Sequence, residues 1–408
     1  AENISLITKW QPSQENNFLF TLSATNVELL DDLFKRNEFD AVSKPFAEFD
    51  SQSILFEFGL HHKFSQNHDF LTLLAVQDFE ADIVSNETAS TILLGSDVFT
   101  IENIYTREFE RPYTLLNLQG IITSGNHEVF YGLIAYDGKN KSSVDNFNAG
   151  VFDSNLIQIS SLSTSPDRQF DLDIAYTAIY VQDSWKINDS TTFDIAAYSE
   201  SLDNSDSFYG AEWEQDETTA RLGLAWKFSE QQTFRIAAFE YLLPFVSARL
   251  DPTDVAGIPI FKNTNEGSLV TEYDLVWDYE WATGLLSVNL FKVEDSVKTS
   301  DAAQTIIVRE GENEGTLIDL DFLVGLNTGI TTKLANFKVK DESNPAADRK
   351  ELSILLGVTH VTESGYRFTV QQIARQMDFD QSNTSEDINV TNVSGAYEFA
   401  NKTQRIEF

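Results

Sequence analysis

The sequence predicts an all-β protein: a transmembrane antiparallel up-and-down β-barrel of about 16 strands, roughly 14–18, with short periplasmic turns and long extracellular loops. Three observations lead there. The segment Thr271–Trp281, TEYDLVWDYEW, alternates two kinds of residue. Short polar turns and long acidic loops alternate along the whole chain. No run approaches the roughly 18 apolar residues of a membrane-spanning helix, whereas a barrel strand needs an apolar residue only at every second position.

Successive side chains of a strand point to opposite faces. In 271–281 one face is Thr271, Tyr273, Leu275, Trp277, Tyr279 and Trp281; the other carries Glu272, Asp274, Asp278 and Glu280, with Val276 as its one apolar residue. A barrel needs both faces, lipid outside and water inside. A soluble β protein also alternates, but seldom needs a strand that ends in aromatic rings beside an acidic face.

The other strands follow in pairs. Ile54, Phe56, Phe58 and Leu60 oppose Glu57, and a turn leads into Phe70–Gln77. Phe170, Leu172, Ile174, Tyr176, Ala178 and Tyr180 oppose Asp171 and Asp173; after Asn188-Asp189, Phe193, Ile195 and Ala197 flank Asp194. Ala220, Leu222, Leu224, Trp226 and Phe228 oppose Arg221 and Lys227, and Phe234, Ile236 and Ala238 flank Arg235. Leu286–Leu290 alternates with Ser287 and Asn289, Ile318–Leu326 with Asp319 and Asp321, Leu352–Val358 with Glu351 and Ser353, and Tyr366–Val370 with Arg367 and Thr369.

Short turns fall near 11–16, 64–67, 124–126, 187–190, 229–231, 282–284, 327–329 and 362–365. Long loops fall near 27–50, 81–108, 138–167, 204–216, 242–268, 299–313, 341–349 and 379–388. Trp10, Trp185, Trp226 and Trp281 crowd the short-turn ends with Phe18, Phe64, Phe70 and Phe228, as an interfacial aromatic girdle would. The first short turn follows the first strand, so that strand starts on the external side; either a strand precedes Ala1 or the count is off by one. The terminal Phe408 fits the aromatic signal read by the barrel-insertion machinery. Residues 1–408 are read as one barrel domain, either mature or the C-terminal part of a longer protein.

With 28 Lys and Arg against 64 Asp and Glu the formal charge is −36, which argues against nucleic acid or an anionic membrane surface as partner. There is no cysteine, so neither a disulfide framework nor a thiolate metal site exists. His61, His62 and His68 surround one turn, but adjacent strand residues point apart and make a poor metal pair. Asp203, Asp206, Asp378, Asp380 and Asp387 lie in loops without the spacing or glycine of a calcium loop, and read as solvated acidic loops. No metal or other cofactor is expected. No nucleophile elbow, phosphate loop or zinc-protease motif occurs, so no catalytic residue is assigned.

Two stretches resemble known outer-membrane families. Tyr180-Val181-Gln182-Asp183-Ser184-Trp185 with the turn and strand that follow looks like a hairpin of TonB-dependent receptors. The segment 219–263 is similar to the C-terminal barrel of outer-membrane proteins with tetratricopeptide repeats upstream; GLAWKF, TFRIAAF and the loop Pro252-Thr253-Asp254-Val255-Ala256-Gly257 carry that likeness. The resemblance implies a barrel of the bacterial outer membrane, set in its lipid, whose partner is a periplasmic protein or an upstream repeat domain. The chain shows neither a plug nor helical repeats.

Parity puts Glu57, Asp171, Asp173, Asp194, Arg221, Arg235, Glu272, Asp274, Asp278, Glu280, Asp319, Asp321, Glu351 and Arg367 on the polar, pore-lining face. Carboxylates around a pore concentrate cations and repel anions. The expected function is therefore a cation-preferring pore or export conduit. The alternatives are a barrel that anchors surface loops as a receptor or scaffold, and a TonB-dependent receptor barrel without its plug. The 242–263 segment is apolar for a loop, with Pro244, Pro252 and Pro259; it either packs on its neighbours at the surface, the reading its composition favours, or folds inward and constricts the lumen.

Overall fold

The computed structural model describes the chain apart from residues 1, 31–46, 95–96, 153–157, 165–167, 208–209, 244–248, 261–266, 301–305, 343–344, 346–347, 363, 381–383, 399–404 and 408. The strands are β1 (Glu2–Trp10), β2 (Asn16–Leu30), β3 (Ala47–Ser65), β4 (His68–Leu94), β5 (Asp97–Glu110), β6 (Tyr113–Ser124), β7 (His127–Phe152), β8 (Gln158–Thr164), β9 (Arg168–Asn188), β10 (Thr191–Asp206) and β11 (Ala211–Lys227). They continue as β12 (Gln232–Leu242), β13 (Asp254–Val255), β14 (Ile258–Pro259), β15 (Leu269–Trp281), β16 (Gly284–Ser300), β17 (Ile306–Val324), β18 (Thr328–Asp341), β19 (Arg349–Val361), β20 (Tyr366–Phe379), β21 (Thr384–Glu398) and β22 (Arg405–Glu407).

Twenty of these form one sheet in which sequence neighbours pair antiparallel, an up-and-down meander. β5 and β6 lie in line between β4 and β7, interrupted at Arg111-Pro112, where proline removes a ladder donor. β8 and β9 likewise share the flank of β7. Counting each interrupted pair once reduces the twenty to eighteen wall strands among the described residues, the upper end of the expected range. β13 and β14 form a separate small hairpin. Among the described residues β1 pairs with β2 alone, and β22 adds three residues to the edge of β21. Phe408 lies outside them.

Each of the eight expected short turns closes a hairpin. Five of the expected long loops are corrected: 81–108, 138–167, 204–216, 299–313 and 379–388 are mostly strand among the described residues. The longest strands run far past the membrane: β4 has 27 residues and β7 has 26, where about 10 cross a membrane. Their polar residues look like loop composition, but above the membrane a strand needs no apolar face.

One face of the wall is an exposed apolar band: Ile54, Phe56, Ile179, Val181, Ile195, Leu222, Ile236, Leu275, Leu356 and Val358 all stand outside it. That surface is stable against lipid, not water. Below it lies the aromatic girdle at the short-turn ends. Trp10 stacks on Phe18 at 5.0 Å, Trp185 on the His127 ring at 5.4 Å, Trp226 meets Phe228 edge-on at 5.3 Å, and Trp281 stacks on Tyr279 at 5.8 Å. The buried apolar residues face the other way. One cluster includes Leu115, Ile134, Ile174, Tyr176 and Tyr198; the second includes Phe239, Tyr241, Val255, Ile258, Ile260 and Val270.

Candidate functional site: a loop bound inside the barrel

Between β12 and β15 the chain turns into the lumen. At its base Leu243 donates its N–H to Ser268 O at 2.8 Å, and Gly267 donates to Leu243 O at 2.9 Å. The reading of 242–263 as a surface loop is thus corrected. Its apolar residues belong to the interior: Val255, Ile258 and Ile260 are buried against the inner faces of β12, β15 and β16. At about 25 cal/mol per Å² of apolar surface, such burial favours the inward path over a wet one.

The upper part of the loop is held by charge. Arg249 grips Asp251 with two hydrogen bonds, Nε to Oδ1 at 2.6 Å and Nη2 to Oδ2 at 2.5 Å, and both side chains are almost fully buried. Burial works against the Arg249 charge, but the Asp251 carboxylate outweighs it and holds the guanidinium pKa above its ordinary value. Arg221 on β11 lies 3.9 Å from Asp251, donates to Tyr198 Oη at 2.9 Å and covers the Tyr198 ring at 3.7 Å. Gln119 donates to Leu250 O at 2.6 Å. Beside them Glu200 accepts from Tyr176 Oη at 2.8 Å, Thr219 Oγ1 at 2.7 Å and Leu242 N at 3.3 Å. A buried carboxylate with three donors has replaced its lost water.

The tip is the β13–β14 hairpin. Its central residues Ala256 and Gly257 both have positive φ, 54° and 74°, the geometry of a two-residue hairpin turn. Three neighbouring strands build its seat. Asp194 on β10 accepts from Ala256 N at 2.6 Å, and Arg235 on β12 donates to Gly257 O at 2.6 Å. Between them, Gly223 on β11 leaves the space: a Cβ there would stand 2.5 Å from Val255 Cγ1 and 2.8 Å from Ala256 Cβ. Arg235 also pairs with Asp278, whose other oxygen accepts from Ser287 Oγ at 2.7 Å. Arg235 is seven residues below Leu242 on the same strand, so the tip is seated about 23 Å along the strand from the loop base at 3.3 Å per residue.

The expected pore residues separate into three groups. Asp194, Arg221 and Arg235 hold the loop, and Glu272 and Asp274 are buried on the inner face of β15 beside Val270 and Val276. Glu351 is buried elsewhere in an ion pair with Arg375, whose Nη2 donates to it at 2.8 Å and whose Nε lies 2.7 Å from its other oxygen, while Asp319 lies 3.6 Å from Lys333. Glu57 is half-buried; Glu280, Asp321 and Arg367 are exposed near the short-turn ends.

Asp171 and Asp173 are corrected. On β9 it is Leu172, Ile174, Tyr176, Ala178 and Tyr180 that are buried inside, and Asp173 pairs with Lys139 at 2.7 Å on the outer face. The parity rule assumed a wet lumen, but Leu172, Ile174 and Tyr176 pack with Leu115 and Ile134 in a buried cluster, so the inner face is dry here. The histidines also separate: His61 bonds Asp69 at 2.6 Å, His62 bonds Asn16 at 2.8 Å, and His68 bonds Tyr131 at 2.9 Å. Among the described residues no three His, Asp or Glu gather as a metal site. Sequence reasoning missed Arg249, Asp251, Glu200, Tyr176 and Tyr198. The one available signal was the charged pair Arg249 and Asp251 inside an otherwise apolar loop.

No protein-family model and no curated protein matches the sequence. Solved structures do. The chain is similar to the receptor FpvA of P. aeruginosa bound to heterologous pyoverdines, with a TM-score of 0.61 at 9% identity over 98% of this chain and 59% of that one. It is similar to BauA, the ferric preacinetobactin receptor of Acinetobacter baumannii, with 0.62 at 9% identity over 97% and 64%. It is similar to Fiu, the ferric-catecholate import receptor of E. coli K12, with 0.61 at 11% identity over 97% and 68%. The fold is that of outer-membrane receptor barrels. The chain spans about three fifths of the length of FpvA. With its apolar band and girdle, the barrel is one of the bacterial outer membrane. The likeness of 219–263 to repeat-linked barrels stands on the sequence alone.

Proposed function

We propose that the chain is the barrel of an outer-membrane receptor that takes up a bound ligand, rather than a cation-selective pore. The observation that carries this is the loop. Asp194, Arg235 and Asp278, which a cation pore would present to water, are bonded to the loop or to each other. A fold shared with FpvA, BauA and Fiu supports the same reading. By analogy with those receptors the cargo is a ferric chelate. The external rim carries exposed Asp203, Glu212, Glu214 and Asp216, so a neutral or cationic chelate is favoured over a polyanionic one.

Tryptophan fluorescence tests this. Of six tryptophans, Trp10, Trp185, Trp226, Trp277 and Trp281 lie toward the short-turn ends, and Trp213 packs against the inner cluster near the external end. A ferric trihydroxamate should quench Trp213 saturably, ferric citrate should not, and Trp213→Phe should abolish the signal. Absence of saturable quenching by any ferric chelate would sink the receptor reading.

A further inference from the structure

All five histidines of the chain, His61, His62, His68, His127 and His360, lie within a few residues of a short turn. Four of them face outward. His62 sits edge-on to the exposed Phe64 ring at 4.5 Å, and His68 is 5.1 Å from the same ring. His127 stacks on the exposed Trp185, and His360 lies opposite the exposed Phe368. His61 alternates inward with Asp69.

The fixed cations at this level lie on the other face. Lys9, Lys63, Lys186, Lys227 and Arg367 occupy strand positions that alternate with the outward Trp10, His62, Trp185, Trp226 and Phe368. Among the described residues the outward belt therefore has no lysine or arginine. Of the groups packed on these rings, His62 faces Asn16 and Phe64, His68 faces Tyr131 and Phe64, and His360 faces Thr328. Among the described residues only His127 of these four faces a carboxylate, Asp183, at 2.8 Å. Glu15, Asp189 and Glu230 lie in the turns below, and Asp189 is bridged to Lys186 at 3.2 Å.

We propose that His62, His68 and His360, with a lesser part from His127, form a pH-set anchor for the phosphates of anionic phospholipids at the periplasmic face. The net charge of the chain opposes an anionic surface, but the outward face of this rim does not share it. Imidazole is the side chain that gains its charge between pH 8 and 5, and an amphipathic ring at a bilayer interface meets headgroups. Each basic group near an anionic bilayer surface contributes about a fivefold shift in equilibrium. The Asp183 carboxylate already neutralises His127 and leaves it little net charge to offer.

The test is reversible urea unfolding of the whole chain in vesicles of phosphatidylcholine, with and without phosphatidylglycerol, at pH 8 and pH 5.5. The phosphatidylcholine series removes the pH response of the external carboxylates. Phosphatidylglycerol should shift the folding equilibrium by about fivefold per ring for the three rings without a carboxylate at pH 5.5, and not at pH 8. Single changes His62→Gln, His68→Gln and His360→Gln should each remove one such share, and His127→Gln the least. Glutamine keeps a hydrogen-bonding group at each site, so the folded barrel, read by heat-modifiable mobility, is retained. A lipid-dependent pH effect that survives all four changes, or its absence in the parent chain, would overturn the proposal.

Discussion

Replacing Asp251 with alanine strikes the buried charge centre of the inward loop. Arg249 and Asp251 are almost fully buried, as is Arg221, 3.9 Å from the carboxylate. Removing one partner of a buried pair costs about 3–5 kcal/mol, because the remaining charge stays buried without compensation. Two guanidiniums are left here. The loop leaves its seat with a free energy lowered by that amount, which raises the undocked fraction by roughly two to three and a half powers of ten. The chain has no cysteine, so Val255→Cys gives one reporter thiol at a position that is fully buried. In the parent background this thiol should resist a water-soluble maleimide. With Asp251→Ala it should label faster by about 10² or more, while the barrel keeps its heat-modifiable mobility. Equal labelling rates in the two backgrounds would refute the claim that the charge centre holds the loop.

Other outcomes follow from the same geometry. Gly223→Val places a side chain where only 2.5 Å separates Cβ from Val255 Cγ1, and overpacking of about 1–3 kcal/mol should unseat the tip. The loss should be read as faster exchange of the Ala256 amide, which donates to Asp194 in the parent chain. Tyr176→Phe removes one donor to the buried Glu200 and should lower stability to urea by about 1.5–3 kcal/mol. At the external rim Asp216 and Asp203 raise the Glu214 pKa by repulsion. A carboxyl group with a raised folded pKa destabilises the fold above that pKa, and the strain is relieved as pH falls through it. Protection of amides at the β10–β11 tip, taken relative to their intrinsic exchange rates, should therefore rise as pH falls from 7 into the usual carboxylate range, and Glu214→Gln should flatten that response.

The wall was legible because lipid imposes a period-2 code on every strand, and the eight short turns interrupt it where strands must reverse. Strand length was not legible: beyond the membrane β4 and β7 lose the apolar face that marks a strand, and their polar residues read as loop. The loop-bound interior was legible in part. Asp194, Arg221 and Arg235 were placed on the inner face by parity, but parity has no means of showing that a segment between Leu243 and Ser268 comes down to meet them. On β9 the rule failed because the inner face is dry there, with Leu172, Ile174 and Tyr176 packed into the buried cluster of Leu115 and Ile134. The seat at Gly223 was invisible because a glycine in a strand shows no partner until the chain that fills its space is folded.

The most direct test of the account is single-channel conductance in a planar bilayer under a KCl gradient, for the parent chain, for a chain with 244–266 replaced by a short glycine-serine link, and for Glu272→Gln with Asp274→Asn and Asp278→Asn. The account predicts that excising the loop raises conductance several-fold, and that the three neutralisations leave the ion selectivity of the parent unchanged. A parent chain whose cation selectivity falls on neutralisation, and whose conductance ignores the excision, would restore the acidic pore and contradict a loop-filled interior.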